Sequence, residues 1–86
     1  MIERVSGVIE ANVDGDRVLL APSNLAYFGL NPVGARVWDL IGSDGIDMDK
    51  LITRLSSEYE VDSATCRSDV DDFLQAAQKA AVVTLP

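Results

Sequence analysis

The chain has 86 residues, of which 14 are acidic and 7 are basic, so its formal net charge is −7. This length suits one domain over residues 1–86, and the charge disfavours nucleic acid and anionic membranes as partners, because Lys and Arg bind both. Histidine is absent and Cys66 is the single cysteine, which leaves no zinc ligand set and no ordinary general base. We therefore expect a cytoplasmic, non-catalytic protein without a disulfide, a metal, a cofactor or a transmembrane helix.

The first third of the chain has the pattern of extended structure. Near-alternation of apolar and other residues predicts a half-buried strand over residues 5–13. Asp14-Gly15 favours a tight hairpin, and residues 17–21 are the predicted return strand. Residues 22–24 form a second predicted turn, and residues 25–30 a third strand, whose two faces are both apolar.

The remainder of the chain has helical periodicity. Asn31-Pro32 predicts the start of a first helix, with Asn as the N-cap and Pro as the first helical residue. Two further helices are predicted to begin at Asp47 and Asp62, and the apolar tail, residues 82–85, to pack back on the domain. The predicted apolar stripes are Gly34, Val37, Trp38 and Ile41; Met48, Leu51, Ile52, Leu55 and Tyr59; and Cys66, Val70, Phe73, Leu74, Ala77 and Ala81.

Strands followed by helices predict an α+β fold. The expected order is β-β-β-α-α-α, a three-stranded antiparallel sheet followed by three α-helices, similar to a winged helix. Residues that could carry chemistry have simpler interpretations. The acidic group around Asp69 and Asp72 is typical of a solvated helix face. Cys66 lies on an apolar stripe without a histidine partner, which predicts a buried, inert thiol.

The third predicted strand is the edge of the sheet and carries no charged side chain, so its free backbone groups are unprotected. Helix three or the C-terminal tail could cover this edge. Alternatively, an extended peptide could add to it as a further strand. A second copy of the chain could also pair with it, giving a homodimer. The sequence pattern alone favours none of these alternatives.

Residues 30–41, Leu-Asn-Pro-Val-Gly-Ala-Arg-Val-Trp-Asp-Leu-Ile, resemble the core motif Leu-Asn-x-x-Gly-Ala-x-x-Trp of the PqqD-like family. These domains, also called RiPP recognition elements, serve the biosynthesis of ribosomally made, post-translationally modified peptides. The step Tyr59-Glu60-Val61-Asp62 and the pattern Asp69-Val70-x-x-Phe73-Leu74 extend the resemblance over residues 5–83. Family members often have glycine near the end of helix three, where this chain has Ala80-Ala81, so the resemblance does not predict how that helix ends.

The resemblance implies that the leader segment of a precursor peptide adds as a strand beside the third strand, in a groove against the third helix. Arg67 and Asp69, together with Asp72, would meet polar leader residues at the rim. The implied binding residues are Asn24, Leu25, Ala26, Tyr27, Phe28, Gly29, Leu30, Cys66, Arg67, Asp69, Val70, Phe73, Leu74 and Ala77.

A free-standing chain of this size most resembles the lasso-peptide members. In these the recognition protein presents the leader to a separate leader peptidase and a cyclase. Two alternatives stay open. One is a PqqD-type peptide chaperone that serves a radical enzyme, or another modifying enzyme, in cofactor biosynthesis. The other, which the charge opposes, is a winged-helix nucleic-acid-binding protein.

Overall fold

Five strands and three helices make up the fold, and the computed structural model describes every residue from Met1 to Pro86. The elements are β1 (Glu3–Arg4), β2 (Ile9–Val13), β3 (Asp16–Leu20), β4 (Tyr27–Leu30), α1 (Pro32–Ile41), α2 (Met48–Tyr59), α3 (Ser63–Lys79) and β5 (Val83–Thr84). Strands β2, β3 and β4 form an antiparallel sheet in that order, and β1 pairs with β5 in a separate antiparallel pair. The predicted α+β fold is therefore confirmed, with the β1–β5 pair as an unpredicted addition.

The prediction of one half-buried strand over residues 5–13 is wrong. Gly7 has a φ of 88° and lies in a turn that separates β1 from β2. Val5 donates its backbone N–H to the carbonyl of Val82 over 2.9 Å, in line with the pairing of β1 and β5. All five residues of β2 are exposed. The three-stranded sheet contributes Leu19 and Leu30 to the core, and these lie on β3 and β4, so the outer strand β2 has no core to face.

The two turns of the sheet are set by local backbone conformation. Asp14 and Gly15 have φ values of 52° and 87°, which confirms the predicted tight hairpin between β2 and β3. Leu25 has a φ of 56° and donates its N–H to the carbonyl of Ala21 over 2.9 Å. This turn occupies the start of the third predicted strand, so that strand begins at Tyr27 rather than at residue 25.

The three helix starts follow the prediction, because each has an N-cap whose side chain satisfies a free backbone N–H. The side chains of Asn31, Asp47 and Asp62 each accept a hydrogen bond from the backbone N–H three residues later. The donor–acceptor distances are 2.7, 2.8 and 2.9 Å. Helix starts are readable from sequence here because the capping contacts are local.

The end of α3 has the geometry that glycine usually provides. Ala81 lies beyond the helix with a φ of 64°, and the N–H of Val82 donates to the carbonyl of Ala77 over 3.1 Å. An alanine in this left-handed conformation costs roughly 1–2 kcal/mol. Val82 and Val83 are both buried after this turn, and their burial offsets the strain. The tail packs back as predicted, but against β1 and not against β4.

One cluster of 17 buried residues joins the helices to both sheets. Trp38 is its largest side chain and, with Gly34, Val37 and Ile41, confirms the predicted stripe of α1. The guanidinium carbon of Arg4 lies 4.2 Å from the centroid of the Trp38 ring, and Arg4 donates two hydrogen bonds to the Trp38 carbonyl over 2.7 and 3.3 Å. None of the three helices is both long and apolar enough to span a bilayer.

Candidate functional site

Strand β4 leaves one row of backbone groups open, because it pairs with β3 alone. The N–H of Ala21 donates to the carbonyl of Ala26 over 3.4 Å, and hydrogen-bonded positions alternate along an antiparallel pair. By this alternation Phe28 and Leu30 direct their backbone groups at β3. The N–H and C=O groups of Tyr27 and Gly29 therefore point toward the open edge. Since β5 pairs with β1, the C-terminal strand does not cover them.

The side chains of β4 alternate between the core and the outside. Leu30 is buried and Phe28 is half-buried, whereas Gly29 is exposed and Tyr27 is 75% exposed. The ring of Phe28 meets the ring of Phe73 on α3, with centroids 5.9 Å apart and planes tilted by 48°. This aromatic contact joins β4 to α3 below the open edge.

A groove runs along α3 from Phe73 toward the start of the helix, and it consists of two adjoining clefts. The first cleft has a volume of about 250 Å³ and the second about 190 Å³. Val33, Asp69 and Val70 line both, so the clefts are continuous, and together we call them the α3 groove. The first is also lined by Asn31, Gly34, Val37 and Phe73, and the second by Leu55, Tyr59, Val61 and Cys66.

The floor of the first cleft depends on Gly34. A Cβ atom on this residue would lie 2.7 Å from Cε1 of Phe73 and 3.2 Å from Oδ1 of Asn31, so a side chain there must displace the Phe73 ring. The N–H of Gly34 donates to the same Asn31 oxygen over 2.7 Å. The spacing of Asn and Gly in the Leu-Asn-x-x-Gly motif thus has a physical reason: Asn31 caps α1 and Gly34 makes room for Phe73.

The rim of the groove is acidic. Asp69 is exposed, lines both clefts and takes part in none of the ion pairs of the chain. Hydrogen bonds from the backbone and the hydroxyl of Thr65 lower the pKa of Asp62, the N-cap of α3. Burial raises the pKa of the Cys66 thiol, and the charges of Asp69 and Asp62 raise it further. Cys66 is therefore a protonated, unreactive part of the cleft wall, as predicted.

The arginine of α1 that follows the groove residues Val33 and Gly34 is already paired. Arg36 donates two hydrogen bonds to the carboxylate of Glu58, both 2.8 Å long, and they hold the pKa of Glu58 below its usual value. This bidentate geometry fixes the guanidinium on α2 rather than over the groove. No group of three or more His, Cys, Asp or Glu side chains is placed to hold a metal ion.

The structure brings only some of the candidate residues together. Cys66, Asp69, Val70 and Phe73 line the groove. Arg67 does not, because its guanidinium donates to Asp49 on α2 over 2.6 Å and lines a different cleft with Ile2, Met48 and Leu85.

Leu74 and Ala77 also lie outside the groove. Both are buried in the core and line neither of its clefts. Asn24, Leu25 and Ala26 form the turn before β4, where Ala26 donates its N–H to Oδ1 of Asn24 over 3.0 Å. These three residues therefore flank the open edge rather than forming part of the strand.

Seven groove residues were missed by the sequence reasoning: Asn31, Val33, Gly34, Val37, Leu55, Tyr59 and Val61. Of these, Asn31, Gly34, Val37, Leu55 and Tyr59 were interpreted as capping or core residues only. A signal for Val33 and Val61 does exist. Each is an apolar residue at a helix start that lies beside the buried stripe and not on it, and such a residue remains partly exposed unless a partner covers it.

Comparison with known proteins supports the resemblance carried by residues 30–41. A family model described as Coenzyme PQQ synthesis protein D (PqqD) matches residues 16–83. A solved structure, TbiB1 in complex with the TbiA(beta) leader peptide, is 32% identical and has a TM-score of 0.81, with 94% of this chain and 93% of that chain covered. No curated protein matches the chain.

A second solved structure is the solution NMR structure of the PqqD truncation of Methylobacterium extorquens PqqCD, described as a functional and stand-alone RiPP recognition element. It is 21% identical with a TM-score of 0.77, and the alignment covers 98% of this chain and 88% of that chain. At this identity the likeness shows the fold alone. The family model covers most of the chain and the first structure matches nearly all of it. The chain therefore belongs to the PqqD family.

Proposed function

We propose that this chain binds the leader segment of a ribosomally synthesised precursor peptide as a strand added to β4. The open backbone row of Tyr27 and Gly29, on a strand without charged side chains, is the observation that carries the proposal. The α3 groove adjoins the end of the same strand. The description of the 32% identical relative TbiB1 in complex with a leader peptide supports this class of ligand.

Backbone pairing alone is too weak for useful affinity. The four open groups of Tyr27 and Gly29 contribute roughly 0.5–1.5 kcal/mol each, which is about 2–6 kcal/mol in total. A micromolar Kd corresponds to about 8 kcal/mol. Side chains of the leader must therefore supply the difference, and the partly apolar α3 groove is the nearest surface that can receive them.

The direction of the leader follows from the sheet. All pairs in the sheet are antiparallel, and antiparallel pairing is slightly stronger per residue than parallel pairing. An added antiparallel strand places its N-terminal residues beside Leu30 and the start of α1. Its C-terminal residues leave the domain past Tyr27, so the part of the precursor that follows the leader remains accessible to other proteins.

The proposed role is that of one non-catalytic recognition domain over residues 1–86, which acts in the cytoplasm and hands the leader to separate enzymes. The resemblance to the lasso-peptide members favours a leader peptidase and a cyclase as those partners. The alternative is a peptide chaperone for a radical enzyme in cofactor biosynthesis. Reconstitution separates them: cleavage of the precursor by the leader peptidase should accelerate on addition of this chain in the lasso-type role and remain unchanged in the other.

The test of strand addition is amide exchange, measured by NMR while the chain is titrated with the leader of the precursor encoded in its gene neighbourhood. We expect the amide protons of Tyr27 and Gly29 to exchange quickly in the free chain and slowly in the complex. Phe28 and Leu30, which bond to β3, should be protected in both states and serve as internal controls. Binding without new protection at Tyr27 and Gly29 would contradict strand addition.

A side-chain substitution gives a second readout. Tyr27→Asp places a charge on the exposed face of the edge strand and should weaken leader binding at least about ten-fold, since charge on an edge opposes pairing. Val13→Asp is the matched control, because Val13 is 49% exposed on β2 at the other side of the sheet. Equal affinity for the two variants would contradict the proposed site. Protection of β4 that depends on protein concentration, without peptide, would indicate pairing of two copies instead.

A further inference from the structure

We propose that the second cleft of the α3 groove holds a lysine or arginine side chain of the bound peptide, with its aliphatic stem in the cleft and its charged head at Asp69. The residue lies N-terminal to the peptide residues that add to β4. This inference rests on the proposed function, since it names a side chain that the same site selects.

The cleft has the apolar walls that such a stem needs. Its floor consists of the buried Leu55, Cys66 and Val70, and Asp69 is the one charged residue among the seven that line it. Val33, Tyr59 and Val61 rise around it and are each 44% exposed. These are three of the eight large apolar side chains that the chain exposes, and they surround one opening. A side chain in the cleft would cover all three at once.

The charge at the cleft has no counterpart within the chain. The carboxylates of Asp69 and Asp62 both lie close enough to raise the pKa of Cys66 in the cleft wall. Neither carboxylate takes part in an ion pair of the chain, whereas Arg36 pairs with Glu58 and Arg67 with Asp49. A cation supplied by the peptide would complete the site, and the net charge of −7 favours the approach of a basic segment.

A long basic side chain fits both properties better than a purely apolar one. Lys and Arg place their methylene stems on apolar surface while the head stays at the rim, where water and a carboxylate are available. The ring of Tyr59 adds a face on which a cation can lie. A leucine in the same cleft would cover the walls but leave Asp69 without a partner.

The position of the basic residue follows from the chain path. Strand β4 ends at Leu30, and Val33 in the first turn of α1 already lines both clefts. An antiparallel peptide reaches this end with its N-terminal side. The basic residue should therefore precede the strand-forming stretch.

Selection from a display library of random peptides, each several times longer than β4, tests the preference independently of the leader sequence. We expect binders of the full chain to carry Lys or Arg at one position upstream of a β-prone stretch. In parallel selection on Asp69→Lys, this position should lose Lys and Arg and gain Asp or Glu. Selection on Asp71→Lys, which alters an exposed residue of the same helix outside both clefts, should give the wild-type preference.

One selected peptide, labelled with fluorescein, is then titrated against matched variants. Asp69→Asn should weaken binding about two- to five-fold, as for an exposed ion pair, and less at high salt. Replacing the basic peptide residue with Ala should reduce the affinity of the wild-type protein more than it reduces the affinity of the Asp69→Asn protein. Val33→Ser should weaken binding about five-fold through lost apolar contact, and Val13→Ser, of similar exposure, should not.

The outcomes separate this inference from the function on which it rests. The basic side chain would be overturned by binders that carry Leu, Phe or no preferred residue upstream and whose affinity is unchanged by Asp69→Asn. If the affinity of the same binders still falls with Tyr27→Asp, strand addition remains intact. Binders whose affinity is unchanged by both Tyr27→Asp and Gly29→Pro would overturn the proposed function itself.

Discussion

The two edges of the three-stranded sheet have the same kind of free backbone but opposite surroundings. On β2, Glu10 lies 3.8 Å from a guanidinium nitrogen of Arg4 and 3.9 Å from one of Arg17. On β4 there is no charged side chain, and the strand leads directly into α1 and the α3 groove. Charged side chains discourage pairing at an edge. The comparison indicates that the β2 edge is protected from pairing with another strand and that the β4 edge is not.

Each edge is held by a different kind of contact. Arg17 also donates to Asp39 of α1 over 2.7 Å, so the β2 side belongs to a chain of alternating charges that ends on a helix. The β4 side is held by the aromatic contact of Phe28 with Phe73. A free edge is common in small sheets; what distinguishes β4 is a neighbouring groove that can recognise side chains.

The largest expected effect comes from removing one outward-pointing backbone N–H from the β4 edge, with the same change at the β2 edge as the control. Gly29→Pro deletes the outward N–H of β4 and places a ring in the path of an added strand, so leader binding should fall at least about ten-fold. Asn12→Pro is the matched control, because by the same alternation Asn12 directs its N–H away from β3 at the β2 edge. Isothermal titration measures the leader affinity of both variants, and unfolding curves confirm that each variant folds. A similar loss in both would show that the edges are equivalent.

The next effect concerns the packing that positions the β4 side. Gly34→Ala should destabilise the fold by about 1–3 kcal/mol, because the new Cβ meets Phe73. In a Phe73→Ala background the same substitution should instead stabilise by about 0.5–1 kcal/mol, the usual gain for alanine in a helix. Urea unfolding of the four proteins measures both values. If Gly34→Ala has the same sign in both backgrounds, the contact with Phe73 is not what requires glycine.

A smaller effect is expected on the β2 side. Arg4→Met keeps the apolar stem over Trp38 but removes two hydrogen bonds to its carbonyl, which should cost about 1–2 kcal/mol of stability. Leader affinity should remain that of the wild type, because Arg4 packs on Trp38 and lines neither cleft of the α3 groove. Unfolding and titration of the same sample test this separation. A weakened complex from a still folded Arg4→Met protein would show that the β2 side contributes to binding.

The smallest effect is the pH dependence of the helix that borders the β4 side. Thr65 lowers the pKa of Asp62 below its reference of 3.8, so the ionised carboxylate stabilises the folded state above that pH. This stability is lost as the pH falls through the lower, folded-state pKa. The urea midpoint of the wild type should therefore be higher than that of Asp62→Asn at neutral pH, and the two midpoints should converge in acid. A difference that stays constant with pH would contradict this role of the carboxylate.

Much of the fold on both sides could be predicted from sequence because its determinants are local. Asn31 and Asp62 cap their helices through residues three positions away, and the Asp14-Gly15 hairpin needs only its own φ values. The absence of charge on residues 25–30 is visible in the sequence and correctly identified an unprotected edge. Local hydrogen bonds and chain conformation suffice for such features.

The rest was decided by contacts between residues far apart in sequence. The pairing of β1 with β5 joins the two ends of the chain, divides the first predicted strand and removes the tail as a cover for β4. Arg67 pairs with Asp49 instead of reaching the groove, while Val33 and Val61 line it. Sequence therefore determined where helices and turns begin and which strand lacks protection. Tertiary packing decided what stands beside that strand, because a groove exists only where separate elements meet.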